Sequence, residues 1–223
     1  MTIVASRLSS GGAPSGMGSK LDANAMLGQK FDEALALASE LHRDQYRKGI
    51  PTPYISHLMA VAGIVLEANA YYRMENIEDV AIGALLHDSI EDQGHKISLE
   101  QIKDKFGGTV HRIVLECSDA IVTEEGEEKP PWKQRKTAYL KRIPHKSRET
   151  QLVSCADKLH NARSIMFDYD RIGDEIWSRF NAGKSGVVWY YRSLVEAFEQ
   201  AWPKNPLLPD LRELVKRMEI AAI

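Results

Sequence analysis

Residues 84–92 read ALLHDSIED and set His87, Asp88, Glu91 and Asp92 within six residues. Four ionisable groups that close together are costly to bury without partners. On a helix, Glu91 lies four residues after His87 and Asp92 four after Asp88, so the two pairs stack on adjacent faces of one turn. One pair can ligate while the other activates. An adjacent His and Asp hold a divalent cation only with help from other elements, because a working metal site needs several ligands and an open position for water. Two such helpers stand elsewhere: His57, in PYISH at the start of a helix, and Asp157, in ADKLHNAR. A carboxylate inside an apolar helix needs a partner or a metal. Imidazole plus carboxylate suits Mn, Fe, Zn or Co better than Mg or Ca. Taken singly, His57 reads as a helix-start polar residue and Asp157 as a surface partner of Lys158 or Arg163. Only the joint pattern points to a metal.

Helices must bring these segments together. Phe31, Ala34, Leu35, Ala38 and Leu41 recur at three- and four-residue steps, which predicts a helix over about 27–43. Gly49, Pro51 and Pro53 break the chain between 48 and 54. Further helices are predicted at about 56–70, 77–92, from 98, 109–122, 132–143, 147–167, 184–201 and 208–222. Ser98 with Gln101 reads as a capping box, and Gly107 and Gly108 end that helix. The acidic stretch TEEGEEKPP, 123–131, reads as a solvent loop. With no alternating strand pattern, the expectation is an all-α bundle.

Composition sets the remaining bounds. A chain of 223 residues, 43% hydrophobic and 27% charged, supports one large domain with a full core. The division expected is a flexible tail over 1–25, rich in Ser and Gly, and a single domain over 26–223. The net charge of −2 gives no basic field for nucleic acid. No run of about 18 apolar residues suggests a membrane span. Cys117 and Cys155 lack CxxC spacing and read as buried free thiols, and a cytoplasmic location is the default.

The ordered set RK, PYISH, ALLHDSIED, FG and ADKLHNAR resembles the HD hydrolase domain of RelA/SpoT proteins. It is most similar to the stand-alone small alarmone hydrolases and metazoan SpoT homologs of the stringent response, over about 31–198. The resemblance implies an HD-domain helical bundle holding one Mn²⁺ and hydrolysing the 3′-pyrophosphate of (p)ppGpp to GDP or GTP and pyrophosphate. It places the metal ligands on His57, His87, Asp88 and Asp157. Glu91 and Asp92 would orient and deprotonate water. Arg47, with Lys48 nearby, would face the guanine, and Asn161 and Ser164 would lie near the nucleoside. Planar guanidinium stacks on a base in a way lysine does not, which suits Arg47. Two positions depart from the family pattern: Leu58 follows His57 where proline is usual, and Gln93 follows the acidic pair where threonine is usual.

The ligand set leaves the substrate open, because selectivity resides in the pocket wall. A phosphatase of NADPH or another nucleotide uses the same ligands, and a non-enzymatic nucleotide sensor would lack an acidic pair that is present here. The basic stretch over 133–148 reads as a solvated helix face, with attraction of a polyphosphate substrate as the alternative, and Trp189 and Tyr190 read as core. His42, His95, His111, His145 and His160 read as surface or structural residues, with His160 near enough to Asp157 to support it. With no synthetase-like extension after 198, a hydrolase alone is expected.

Overall fold

The computed structural model describes residues 27–121, 124 and 130–222. Among the described residues ten α-helices run in the order α1 (Gln29–Leu41), α2 (Ile55–Tyr72), α3 (Ile77–Leu86), α4 (Ser89–Gln93), α5 (Leu99–Phe106), α6 (Gly108–Cys117), α7 (Trp132–Arg142), α8 (Arg148–Ile172), α9 (Gly183–Ala201) and α10 (Leu208–Ala221). Short 3-10 turns lie at Ile143–His145 and Gly173–Arg179. Among the described residues there is no strand, only an isolated bridge between Tyr46 and Pro53. The all-α expectation holds. The tail over 1–25 and most of the acidic loop lie outside the described residues.

From Val80 to Leu86 every residue of α3 is buried, as befits a helix apolar all round that other helices enclose. α2 and α6 flank it, and α8 passes behind. Gly83 permits the approach of α6: a Cβ there would sit 2.7 Å from Ile113 Cγ2. α5 starts on the expected capping box, with the Ser98 hydroxyl accepting from Gln101 N–H and the Gln101 side chain accepting from Ser98 N–H. Gly107, at φ +90°, ends it in a conformation that glycine tolerates.

Three expectations need correction. The helix predicted over 109–122 stops at Cys117, where Ser118 turns extended. The helix predicted over 77–92 is two helices, since the ladder lapses at His87 and Asp88 and resumes as α4. Asp88 sits at φ −98°, ψ −2°, still near helical space, so the periodicity of the apolar residues runs through the break. The helix predicted to stop at 167 extends to Ile172 and hands over to a 3-10 turn.

Candidate active site

Four elements converge at the break. His57 lies in the first turn of α2, His87 and Asp88 occupy the α3–α4 junction, and Asp157 projects from the middle of α8. His87 Nε2 lies 3.0 Å from Asp88 Oδ2 and 3.8 Å from Asp157 Oδ1. His57 Nε2 lies 3.2 Å from Asp157 Oδ1 and 3.7 Å from Asp88 Oδ2. One ligand atom each from His57, His87 and Asp88 falls within 4.8 Å of the others, and Asp157 joins through the two histidines. Both histidines are buried, and neither Nε2 makes a hydrogen bond despite the nearby carboxylate oxygens. His87 Nδ1 is 2.7 Å from the Ala84 carbonyl, which puts a proton on Nδ1 and leaves Nε2 facing inward. His57 Nδ1 meets His160 Nδ1 at 2.8 Å, so the neighbour of His160 is His57 rather than Asp157.

The electrostatics ask for positive charge at the centre. Burial opposes protonation of His87, but Asp88 and Asp157 outweigh it and hold its pKa well above the ordinary histidine value. Burial likewise opposes ionisation of both carboxyls. His87 overrides it at Asp88, and Lys158 with the two histidines overrides it at Asp157, so both stay below the usual carboxylate range. His57 is lowered, chiefly by burial. Two ionised carboxylates and two inward-facing Nε2 atoms form a donor set that fits a divalent transition metal, which would take the place of the His87 proton.

A cavity of about 310 Å³ opens beside this cluster. Arg47, Lys48, Lys136, Lys158 and Arg179 line it with positive charge against the carboxylate of Asp168, which pairs with Arg179 at 2.6 Å, and Tyr54, Trp132, Phe180, Tyr190 and Tyr191 supply aromatic faces. Asn161 and Ser164 line it as well. Arg47 Nη2 donates to Asn161 Oδ1 at 2.6 Å, and Asn161 Nδ2 donates to Asp157 Oδ1 at 2.5 Å, joining pocket to cluster. Lys48 sits 5.9 Å from the Phe180 ring centre. Gly49, at φ +76°, closes the loop that carries both cations, with the Arg179 side chain laid against it.

The acidic pair stands on α4. Asp92 Oδ2 accepts from Gln45 Nε2 at 2.8 Å, and Glu91 Oε2 accepts from Asp119 N–H at 3.2 Å. Asp157 does pair with Lys158, at 2.5 Å, but in the interior, and Arg163 instead meets Asp210 on the surface. The solvated reading of the basic stretch is overturned in part: Arg135 and Lys136 turn inward onto Asp119, and Lys146 is buried. Tyr190 is buried yet also forms pocket wall. His42 is buried, stacked on Tyr54 and bonded through Nδ1 to Gln45. Three participants were not foreseen. Tyr54 donates its hydroxyl to Asp88 Oδ2 at 2.6 Å, and its place three residues before His57 was the available signal. Gln45 and Asp119 carry no motif.

The HD-domain profile matches residues 34–188. The chain belongs to the HD-domain family. This HD-domain chain is 35% identical over 147 residues to a Danio rerio guanosine-3′,5′-bis(diphosphate) 3′-pyrophosphohydrolase, MESH1, covering 66% of this chain and 72% of that one. The Drosophila melanogaster MESH1 is 34% identical over 137 residues, covering 61% and 69%. Among solved structures, a metazoan ortholog of SpoT described as hydrolysing ppGpp superposes with a TM-score of 0.65 at 26% identity, over 87% of this chain and 98% of that one. A Listeria monocytogenes EGD-e structure shares the fold at a TM-score of 0.60 and 24% identity, over 73% and 97%.

Proposed function

We propose that this HD-domain protein hydrolyses the 3′-pyrophosphate of guanosine tetra- or pentaphosphate, releasing pyrophosphate and GDP or GTP, with residues 26–223 as the catalytic domain. The observation that carries the reading is the meeting of two buried, unbonded imidazole nitrogens with two ionised carboxylates beside a cationic, aromatic cavity. The likeness to hydrolases of that ester over two thirds of their length supports the choice of substrate.

His57, His87, Asp88 and Asp157 would hold the cation, and Mn²⁺ is the ion we assign. A divalent ion there supplies Lewis acidity and neutralises phosphoryl charge. Glu91 and Asp92 orient the water and accept its proton. Arg47 presents a planar face to the base while Asn161 holds its guanidinium. Lys48, Lys136, Lys158 and Arg179 line the space that the phosphates would fill. Tyr54 fixes the Asp88 carboxylate so that its free lone pairs face the cluster. No helix among the described residues is long and apolar enough to cross a membrane, and we place the protein in the cytoplasm acting on a free nucleotide.

The test is turnover of chelator-stripped protein resupplied with Mn²⁺, Zn²⁺, Co²⁺ or Mg²⁺, against (p)ppGpp, NADPH and a nucleotide panel, with products separated by ion-exchange chromatography. Pyrophosphate and GDP from ppGpp, greatest with Mn²⁺, are expected. Faster release of phosphate from NADPH would shift the assignment to a nucleotide phosphatase. Asp88→Ala is expected to lose metal and turnover while remaining folded.

A further inference from the structure

Asp157, Asn161, Ser164 and Asp168 follow one another on α8 at steps of four, three and four residues, so they form one row along the helix. At 1.5 Å per residue, Asp168 stands about 16 Å along the axis from Asp157, at the end of the row away from the His–Asp cluster. Among the described residues that line the cavity it is the one carboxylate, set against five cationic side chains. Arg179 Nη1 donates to Asp168 Oδ2 at 2.6 Å, and the Arg179 side chain is itself laid against Gly49, so the plane of the carboxylate is fixed. That is the hydrogen bond the carboxylate makes among the described residues, and a carboxylate offers about four acceptor sites. Its side chain is 19% exposed, withdrawn from bulk water yet open to the cavity.

An anion in a cavity that receives a polyphosphate repels the substrate unless it meets a hydrogen-bond donor. The base is the part of the nucleotide that carries donors and no charge. The other residues near it do not tell one base from another. A guanidinium stacked on a base, as proposed for Arg47, accepts any aromatic ring, because every base has a π-face. Asn161 has both ends of its amide engaged, by Arg47 and by Asp157, and the Ser164 hydroxyl gives its proton to the His160 carbonyl. Guanine presents N1–H and the 2-amino group side by side, two donors that suit a carboxylate. Adenine presents a lone pair at N1 and a C–H at position 2, and would leave the carboxylate unpaired and facing that lone pair.

We propose that Asp168 determines specificity for the base: its carboxylate, held in plane by Arg179, accepts from N1–H and the 2-amino group of guanine and so selects guanine over adenine. The inference rests on the hydrolase reading, which puts a nucleotide in this cavity with its 3′ end at the cluster. A plain salt bridge tying α8 to the 3-10 turn at Gly173–Arg179 would show the same Asp168–Arg179 contact, and the preference among bases separates the two.

The full chain with Mn²⁺ is assayed on guanosine tetraphosphate and on the same tetraphosphate built on inosine, xanthosine and adenosine. Relative to guanosine, kcat/KM is expected to fall about tenfold for inosine, which lacks the 2-amino group, and about tenfold to a hundredfold for adenosine. In Asp168→Asn, Arg179 would hold the amide oxygen and turn the NH₂ group to the base, where it opposes the 2-amino group of guanine and suits the 2-carbonyl of xanthine. The ratio of xanthosine to guanosine turnover should then rise about tenfold or more. A second variant, Asp168→Ser, should lose the preference for guanosine over adenosine without gaining xanthosine. Ratios taken within one preparation do not depend on how much of it is folded. Ratios that neither substitution changes, or no preference among the four bases in the unsubstituted protein, overturn the proposal in favour of the plain salt bridge. If none of the four is hydrolysed, the hydrolase reading fails, and Asp168 is judged by calorimetric titration with the diphosphates of guanosine, xanthosine and adenosine. A preference for the guanosine diphosphate that Asp168→Asn abolishes supports the assignment, and equal affinities or absence of binding refute it.

Discussion

Lys146 is 7% exposed, an unusual setting for an ammonium. Its Nζ donates to Ser154 Oγ at 3.3 Å and sits 3.6 Å from the centre of the Tyr139 ring. Burial pulls its pKa from 10.5 to about 7; Cys117 resists, while Lys158 and Arg142 add to the fall. A drop of that size corresponds to about 5 kcal/mol between the fully charged and fully neutral limits. The sign follows from proton counting. Below pH 7 the folded and unfolded chains both hold the proton, so the burial cost applies in full. Between pH 7 and 10.5 the unfolded chain keeps the proton and the folded chain releases it, so stability rises by up to about 1.4 kcal/mol per pH unit. Lys146→Met removes the titrating group and keeps the length of the side chain. Urea unfolding from pH 6 to pH 10 is expected to show the variant more stable at pH 6 by up to about 5 kcal/mol, with the gap closing as pH rises. Curves for the two proteins that stay parallel across that range would refute a buried ammonium at this position.

Gly83→Ala should cost about 1–3 kcal/mol in urea unfolding, because the added methyl overlaps Ile113, which belongs to the fully buried core. Tyr54→Phe deletes one charge-assisted hydrogen bond to Asp88; competition with a chromophoric chelator should show metal affinity weakened about 10–100-fold, with the melting temperature of the metal-free protein changing little. Arg47→Ala and Asn161→Ala should each raise KM for ppGpp, and the double variant should fall short of the sum by about 0.5–3 kcal/mol because the two residues share one hydrogen bond.

Dense local motifs were legible and long-range joins were not. The helical period of α1, the capping box at Ser98 and the stop at Gly107 are local events, so residue spacing reports them directly. The break at His87 escaped because Asp92 N–H still bonds the Asp88 carbonyl, and one distorted turn leaves no trace in apolar periodicity. The four residues of the candidate metal cluster could be picked out because ionisable groups embedded in apolar segments are conspicuous. Asp119 could not be, because its partners lie 16 and 17 residues away across a loop and 28 residues back at Glu91. The basic stretch misled for a related reason. A lysine or arginine on a helix is ordinarily solvated, and only the folded chain reveals that a buried carboxylate awaits Arg135 and Lys136.

Asn161 explains why the pocket and the His–Asp cluster are held in one register. It follows Asp157 by one helical turn on α8, so the helix itself sets their spacing. Its amide has one donating and one accepting end, and its neighbours differ in sign: the anion Asp157 takes the NH₂ group, and the cation Arg47 takes the oxygen. Flipping the amide would turn both contacts repulsive, so the orientation is dictated by charge. An aspartate at 161 would keep Arg47 and repel Asp157; a lysine would do the reverse. Only an amide satisfies both, which ties the group proposed to face the base to a group proposed to hold the metal through a single side chain.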